Sequence, residues 1–107
     1  MSHVLHVNES NFETQVLQSP VPVLVDFFTT WCQPCKMLAP HLDQIASEFG
    51  DGARIVKINV EECPQLSVQY RIQAVPTLML FNDGQLVDQI APDPATIRYR
   101  LSGLCMA

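Results

Sequence analysis

The chain has 107 residues, with eleven Asp and Glu against six Lys and Arg and a formal net charge of −5. At 48% hydrophobic and 16% charged residues, it is too apolar for a disordered, collagen-like or coiled-coil chain, and its length suits one domain over 1–107. So acidic a protein, with so few cations, is a poor partner for nucleic acid or an anionic membrane surface, and no apolar run is long enough to span a bilayer.

Residues 4–7 read as a short strand. Asn8 or Ser10 can cap an amphipathic helix over 11–18, with Phe12, Val16 and Leu17 on its apolar side. Ser19-Pro20-Val21-Pro22 ends it. Residues 23–28 are apolar on both parities except at Asp26, the pattern of a central strand covered on both faces. A long helix follows over 34–49, where Leu38, Leu42, Ile45, Ala46 and Phe49 recur at three- and four-residue steps. Pro40 lies inside it, and Gly50-Asp51-Gly52 stops it.

Residues 54–60 form a second β-branched strand, and 63–70 a short helix. A strand over 77–81, a turn at Asn82-Asp83-Gly84-Gln85 and a returning strand over 86–90 make a hairpin. Asp93-Pro94 starts a final helix that runs to Leu104. The order is β-α-β-α-β-α-β-β-α. Its alternating first half predicts parallel βαβ pairs, and the hairpin makes the last pair antiparallel. The expected fold is an α/β architecture: a mixed five-stranded central sheet with helices on both faces.

Four cysteines stand at 32, 35, 63 and 105. Cys32-Gln33-Pro34-Cys35 sits where the central strand hands over to the long helix. Cysteines three apart in a first helical turn can close a small disulfide ring. Cys32 at the N-cap meets free backbone N–H groups and the positive end of the helix, which favour a thiolate and make it the attacking thiol. Cys35, one turn deeper, acts second. Pro34 suits the first turn because its missing N–H has no partner there. The alternative is half of a zinc site. Structural zinc takes four ligands, however, and Cys63, Cys105, His3, His6 and His41 form no second close pair, so no metal is expected. The N-terminal residues show no secretory pattern. The expected compartment is therefore the cytoplasm, where a close cysteine pair is catalytic or metal-binding.

Asp26 and Lys57 interrupt apolar strands. A desolvated carboxylate has a raised pKa and suits a proton acceptor near neutrality; a solvent-facing strand position is the alternative for Asp26. For Lys57 the alternatives are a partner to Asp26 and an exposed lysine. Trp31 reads as an exposed aromatic beside the attacking thiol, with an ordinary core tryptophan as the alternative. Lys36 either favours the thiolate or is a solvated helix lysine. Cys63 and Cys105 read as bystanders, Cys63 as a small hydrophobe and Cys105 as an exposed thiol.

Nearly the whole chain resembles thioredoxin. The residues carrying the likeness are Val25-Asp26-Phe27, Trp31-Cys32-Gln33-Pro34-Cys35-Lys36, Ala39-Pro40, Lys57, Val75-Pro76-Thr77 and Phe81-Asn82-Asp83-Gly84. The resemblance implies the thioredoxin fold and a protein-disulfide reductase without a bound cofactor. Cys32 would attack the disulfide of a client protein, Cys35 would resolve the mixed disulfide, and a thioredoxin reductase would restore the dithiol to a monomeric protein. It also implies that Asp26 lies behind the second cysteine with Lys57 as its partner. A cis Val75–Pro76 bond would face the cysteines, and Trp31, Gln33, Pro34, Val75, Pro76 and Pro92 would surround the client.

The chain departs from that pattern at four places. Gln33 replaces a usual glycine between the cysteines, Phe28 a frequent tryptophan, Thr29-Thr30 a small or acidic stretch, and Pro92 a glycine flanking the substrate groove. A proline there is stiffer and lacks a backbone donor. The competing expectations are thus a specialised relative with restricted clients, a redox-independent binding or holdase module, and an oxidase or isomerase of an oxidising compartment.

Overall fold

A computed structural model describes residues 3–105. Its centre is the apolar run Val23–Phe28, which forms strand β2. Around it lie β1 (Val4–His6), β3 (Arg54–Asn59), β4 (Thr77–Asn82) and β5 (Gln85–Ile90). The helices are α1 (Gln33–Phe49), α2 (Pro64–Gln69) and α3 (Pro94–Cys105). The five strands make one sheet in the order β1-β3-β2-β4-β5.

The β1–β3 and β2–β3 pairs are parallel, while β2–β4 and β4–β5 are antiparallel. The antiparallel β2–β4 pair was not signalled by local pattern. It arises because α2 and the loop after it return the chain to the far side of β2 in the opposite direction.

Side-chain alternation divides β2 between two cores. Val23, Val25 and Phe27 join a cluster with Phe12, Val16, Cys63 and Leu66, under the N-terminal helical turn and α2. Leu24 joins a cluster with Leu38, Leu42, Ile45, Ile97 and Leu101, under α1 and α3. The sheet is thus covered on both faces, as its unbroken apolar strands require.

The helix expected over 11–18 is shorter and wider. Only Glu13–Leu17 is helical, closed by a five-residue-back bond from the Gln18 N–H to the Glu13 carbonyl at 2.8 Å. Its start is taken up by a side-chain turn: the Asn8 side-chain oxygen accepts from the Ser10 N–H at 2.9 Å, and the Asn8 N–H donates to the Asn11 side chain at 2.8 Å. Asn8 therefore caps a turn ahead of the helix. The widened segment sets Phe12, Val16 and half-buried Leu17 against one cluster.

At the β4–β5 turn, Asp83 and Gly84 both have positive φ, 53° and 77°. This left-handed pair matches the twist of a two-residue hairpin. A side chain at Gly84 would also meet the Leu17 carbonyl oxygen at 2.9 Å, so only glycine fits.

Candidate active site

The site forms at the carboxyl end of β2, where residues 29–31 lead into α1. Cys32 is the N-cap of α1, with extended backbone at φ −79° and ψ 112°, and its sulfur accepts the Cys35 N–H at 3.2 Å. Pro34 occupies the first turn, where it removes a donor that would lack a partner. This geometry brings the Cα atoms of Cys32 and Cys35 to 5.3 Å, and the two sulfurs are joined as a disulfide. Both cysteines are buried, whereas Gln33 and Pro34 are exposed. A sulfur at a helix N-terminus, facing a backbone N–H, is placed where negative charge is favoured.

Inside β2, six residues before Cys32, Asp26 is 0% exposed. In register it pairs with Lys57 on β3 and Leu78 on β4. It shares the Leu24 side of β2, and so faces the α1 layer. Neither carboxylate oxygen has a hydrogen-bond partner among the described residues. Loss of hydration pushes the Asp26 pKa from 3.8 to about 6, while the charge of Lys57 pulls it back. Lys57 makes no hydrogen bond to that carboxylate. Its ammonium instead lies over the Phe28 ring, 4.5 Å from the centroid. Lys57 also lines a hollow of about 200 Å³ with Cys35, Phe28, Thr29 and Lys36. Asp26 is thus paired with Lys57 across β2 and β3, and Lys57 in turn shares the smaller hollow with Cys35.

Beside the cysteines is a wider groove of about 360 Å³ between Trp31 and Val75, completed by Thr29, Val60, Ile72 and Ala74. Trp31 is 68% exposed. The Val75–Pro76 peptide bond is cis. The Thr77 hydroxyl donates to the Ala74 carbonyl at 2.6 Å, tying this loop to the start of β4. Pro92 is exposed between β5 and α3 and lines neither hollow.

Thr29, Val60, Ile72 and Ala74 were not singled out in the sequence as groove residues. A usable signal exists for two of them. Thr29 and Val60 directly follow the last residues of β2 and β3, and sites in α/β sheets gather at the carboxyl ends of strands.

The other cysteines lie apart. Cys63 is buried in the core under α2, and burial pushes its thiol pKa up. Cys105 is exposed, with its thiol donating to the Gly52 carbonyl at 3.1 Å. Among the described residues, no group of three or more His, Cys, Asp or Glu side chains is arranged to hold a metal ion. No helix of those residues is long and apolar enough to cross a membrane.

Residues 3–96 match the family described as Thioredoxin. The chain is 47% identical to Thioredoxin 1 of Synechococcus elongatus over 90 residues, 84% of each chain. It is 44% identical to the thioredoxin of Haemophilus influenzae over 97 residues, which is 90% of this chain and 91% of the other. With the thioredoxin of Acidithiobacillus ferridurans it shares 51% identity over 83 residues, 78% of this chain and 77% of the relative.

Proposed function

The chain belongs to the thioredoxin family and is a protein-disulfide reductase of the thiol–disulfide oxidoreductase class; we propose that its two site cysteines divide the work, Cys32 attacking and Cys35 resolving. The observation that carries this division is the bond from the Cys35 N–H to the Cys32 sulfur at the cap of α1. It gives Cys32 a backbone donor and the helix end, so Cys32 holds thiolate charge when the pair is reduced.

The Cys32 thiolate attacks a client disulfide. A bond forms between the Cys32 sulfur and one client sulfur, and the other client sulfur leaves and takes a proton. Asp26 then accepts the proton of the Cys35 thiol. The Cys35 thiolate attacks the Cys32 sulfur, the Cys32–Cys35 bond forms, and the second client sulfur leaves reduced. A carboxyl with a pKa of about 6 suits that transfer near neutral pH. Lys57 moderates the carboxyl from the neighbouring strand. Trp31 and Val75 flank the groove that receives an extended client segment, with Gln33, Pro34 and Pro76 at its margin.

Members of the family act on disulfide-bearing clients and are reduced in turn by a thioredoxin reductase. We assign this chain the same cycle, as a monomer in which 1–107 acts as one domain in the cytoplasm. The exposed Pro92, which offers no backbone donor, supports a narrower set of clients.

The test is reduction of insulin disulfides with dithiothreitol as electron donor. Cys32→Ser abolishes turnover and forms no adduct. Cys35→Ser also abolishes turnover but accumulates a Cys32–client mixed disulfide on a non-reducing gel. Wild-type turnover in either variant, or adduct formation through Cys35, contradicts the assignment.

A further inference from the structure

Among the described residues, buried side-chain oxygens without a hydrogen-bond partner occur at two residues, Asp26 and Thr29. The exchange mechanism uses Asp26 and leaves Thr29 without a role. Thr29 is 3% exposed, and a buried hydroxyl without a partner disfavours whatever state contains it. Its place is distinctive: it lines both the Trp31–Val75 groove and the smaller hollow that contains Cys35 and Lys57. Its carbonyl accepts the Cys32 N–H at 3.4 Å, which fixes its backbone to the base of the redox turn.

The structure holds the cysteines as a disulfide, and in that state the Cys35 sulfur is bonded to Cys32. Opening the bond turns the Cys35 sulfur into a thiol or thiolate, a stronger acceptor on the wall of the hollow that Thr29 shares. At about 200 Å³ the hollow has room for a bridging water as well as for a direct contact.

We propose that Thr29 is a redox-linked positioning residue: its hydroxyl donates, directly or through one water, to the Cys35 sulfur only when the disulfide is open. This rests on the reading of Cys32 and Cys35 as the exchanging pair. Thr29 loses no proton. The Cys35 proton goes to Asp26, the thiolate accepts from the Thr29 hydroxyl, and the sulfur then closes on Cys32 as the client sulfur leaves. An orphaned hydroxyl in the disulfide gains a partner in the dithiol, so Thr29 tilts the equilibrium toward the dithiol by up to about tenfold, the upper end of the net scale of one hydrogen bond between uncharged groups.

The experiment equilibrates wild type, Thr29→Val, Thr29→Ala and Thr29→Ser with dithiothreitol redox buffers at pH 7. Thiol alkylation reads the dithiol fraction, and the fluorescence of Trp31, the one tryptophan, gives a second reading. Thr29→Val keeps the shape and removes the hydroxyl, Thr29→Ala removes it without adding a methyl to the hollow, and both shift the equilibrium by up to about tenfold toward disulfide. Thr29→Ser keeps the donor and stays close to wild type. The proposal is overturned if the Val and Ala variants titrate with wild type, or if Ser moves as far as they do. It is also overturned if Thr29→Val displaces the Asp26 titration while leaving the redox equilibrium in place, because the hydroxyl then serves Asp26. A wild-type protein that does not interconvert between disulfide and dithiol would overturn the exchanging-pair reading itself, a result separate from these.

Discussion

The two faces of the sheet are built from the same strands and differ in what they exclude. The face under Glu13–Leu17 and α2 is apolar at its centre, where the Tyr70 ring meets those of Phe12, Phe27 and Phe81, and Phe12 meets Phe81, at centroid distances of 5.6–6.2 Å. The face under α1 and α3 is aliphatic, and into it the same strands insert Asp26 and Lys57 at paired positions. One strand, β2, supplies Phe27 to the first face and Asp26 to the second. Alternation alone therefore sends the aromatic ring and the proton-holding carboxyl of β2 to opposite faces. An aromatic cluster with close-packed rings fixes the sheet. A carboxylate stripped of water and left without a hydrogen bond opposes folding but holds a proton that can move near neutral pH.

That contrast is open to direct attack. The largest effect on stability belongs to the packing face: Phe27→Ala should destabilise the protein by about 3–5 kcal/mol in urea denaturation, yet leave the dithiol–disulfide equilibrium of the folded protein where it was. A large redox shift in that variant would show that the faces are not separable.

Asp26→Asn works in the opposite sense. The folded carboxyl titrates at about 6 against 3.8 for the free group. Below about pH 4 both folded and unfolded chains hold the proton, and Asp26 has no pH-dependent effect. Between about pH 4 and 6 the unfolded chain ionises first, so stability falls as pH rises, and above about pH 6 the penalty is complete. A gap of about two pH units corresponds to roughly 3 kcal/mol. Asp26→Asn should therefore be more stable than wild type by up to about 3 kcal/mol at pH 8, with that advantage fading as pH falls through 6 toward 4. Urea denaturation across this range reads it.

Lys57→Met sharpens the comparison by the smallest step. Lys57 holds the Asp26 pKa down, so its loss should raise the Asp26 midpoint further above about 6. Because the two side chains form no direct ion pair, the rise should be about one pH unit, followed by NMR of the carboxyl group.

Much of this arrangement is written locally. The strand bearing Asp26, the cysteines at the strand–helix junction and the hairpin at Asp83-Gly84 each follow from a period, a cap or a turn residue within a few positions. The sheet order and the antiparallel β2–β4 pair are not local. They depend on which strands meet after the chain has travelled around α1 and α2. The widened turn at Glu13–Leu17 was hidden for a related reason: the period of Phe12, Val16 and Leu17 suits an ordinary helix, and contact with the core sets the actual winding. Thr29, noted only as a departure from the family pattern, and Val60 were not readable as groove residues because small or aliphatic residues at strand ends acquire meaning only when β2 and β3 lie side by side. Asp26 was legible because a lone charge in a doubly covered strand has no exposed face to turn to.

The central claim is that the carboxylate buried in the α1 face, Asp26, takes the proton of the resolving thiol Cys35. Single-turnover release of the second client thiol from the Cys32 mixed disulfide, followed from pH 5 to 9 in wild type and Asp26→Asn, tests it directly. The wild-type rate should rise through a midpoint of about 6. In the variant that rise should vanish and the rate at pH 7 should fall by up to about 100-fold, the scale of a lost general base. Superimposable profiles for the two proteins would contradict the claim.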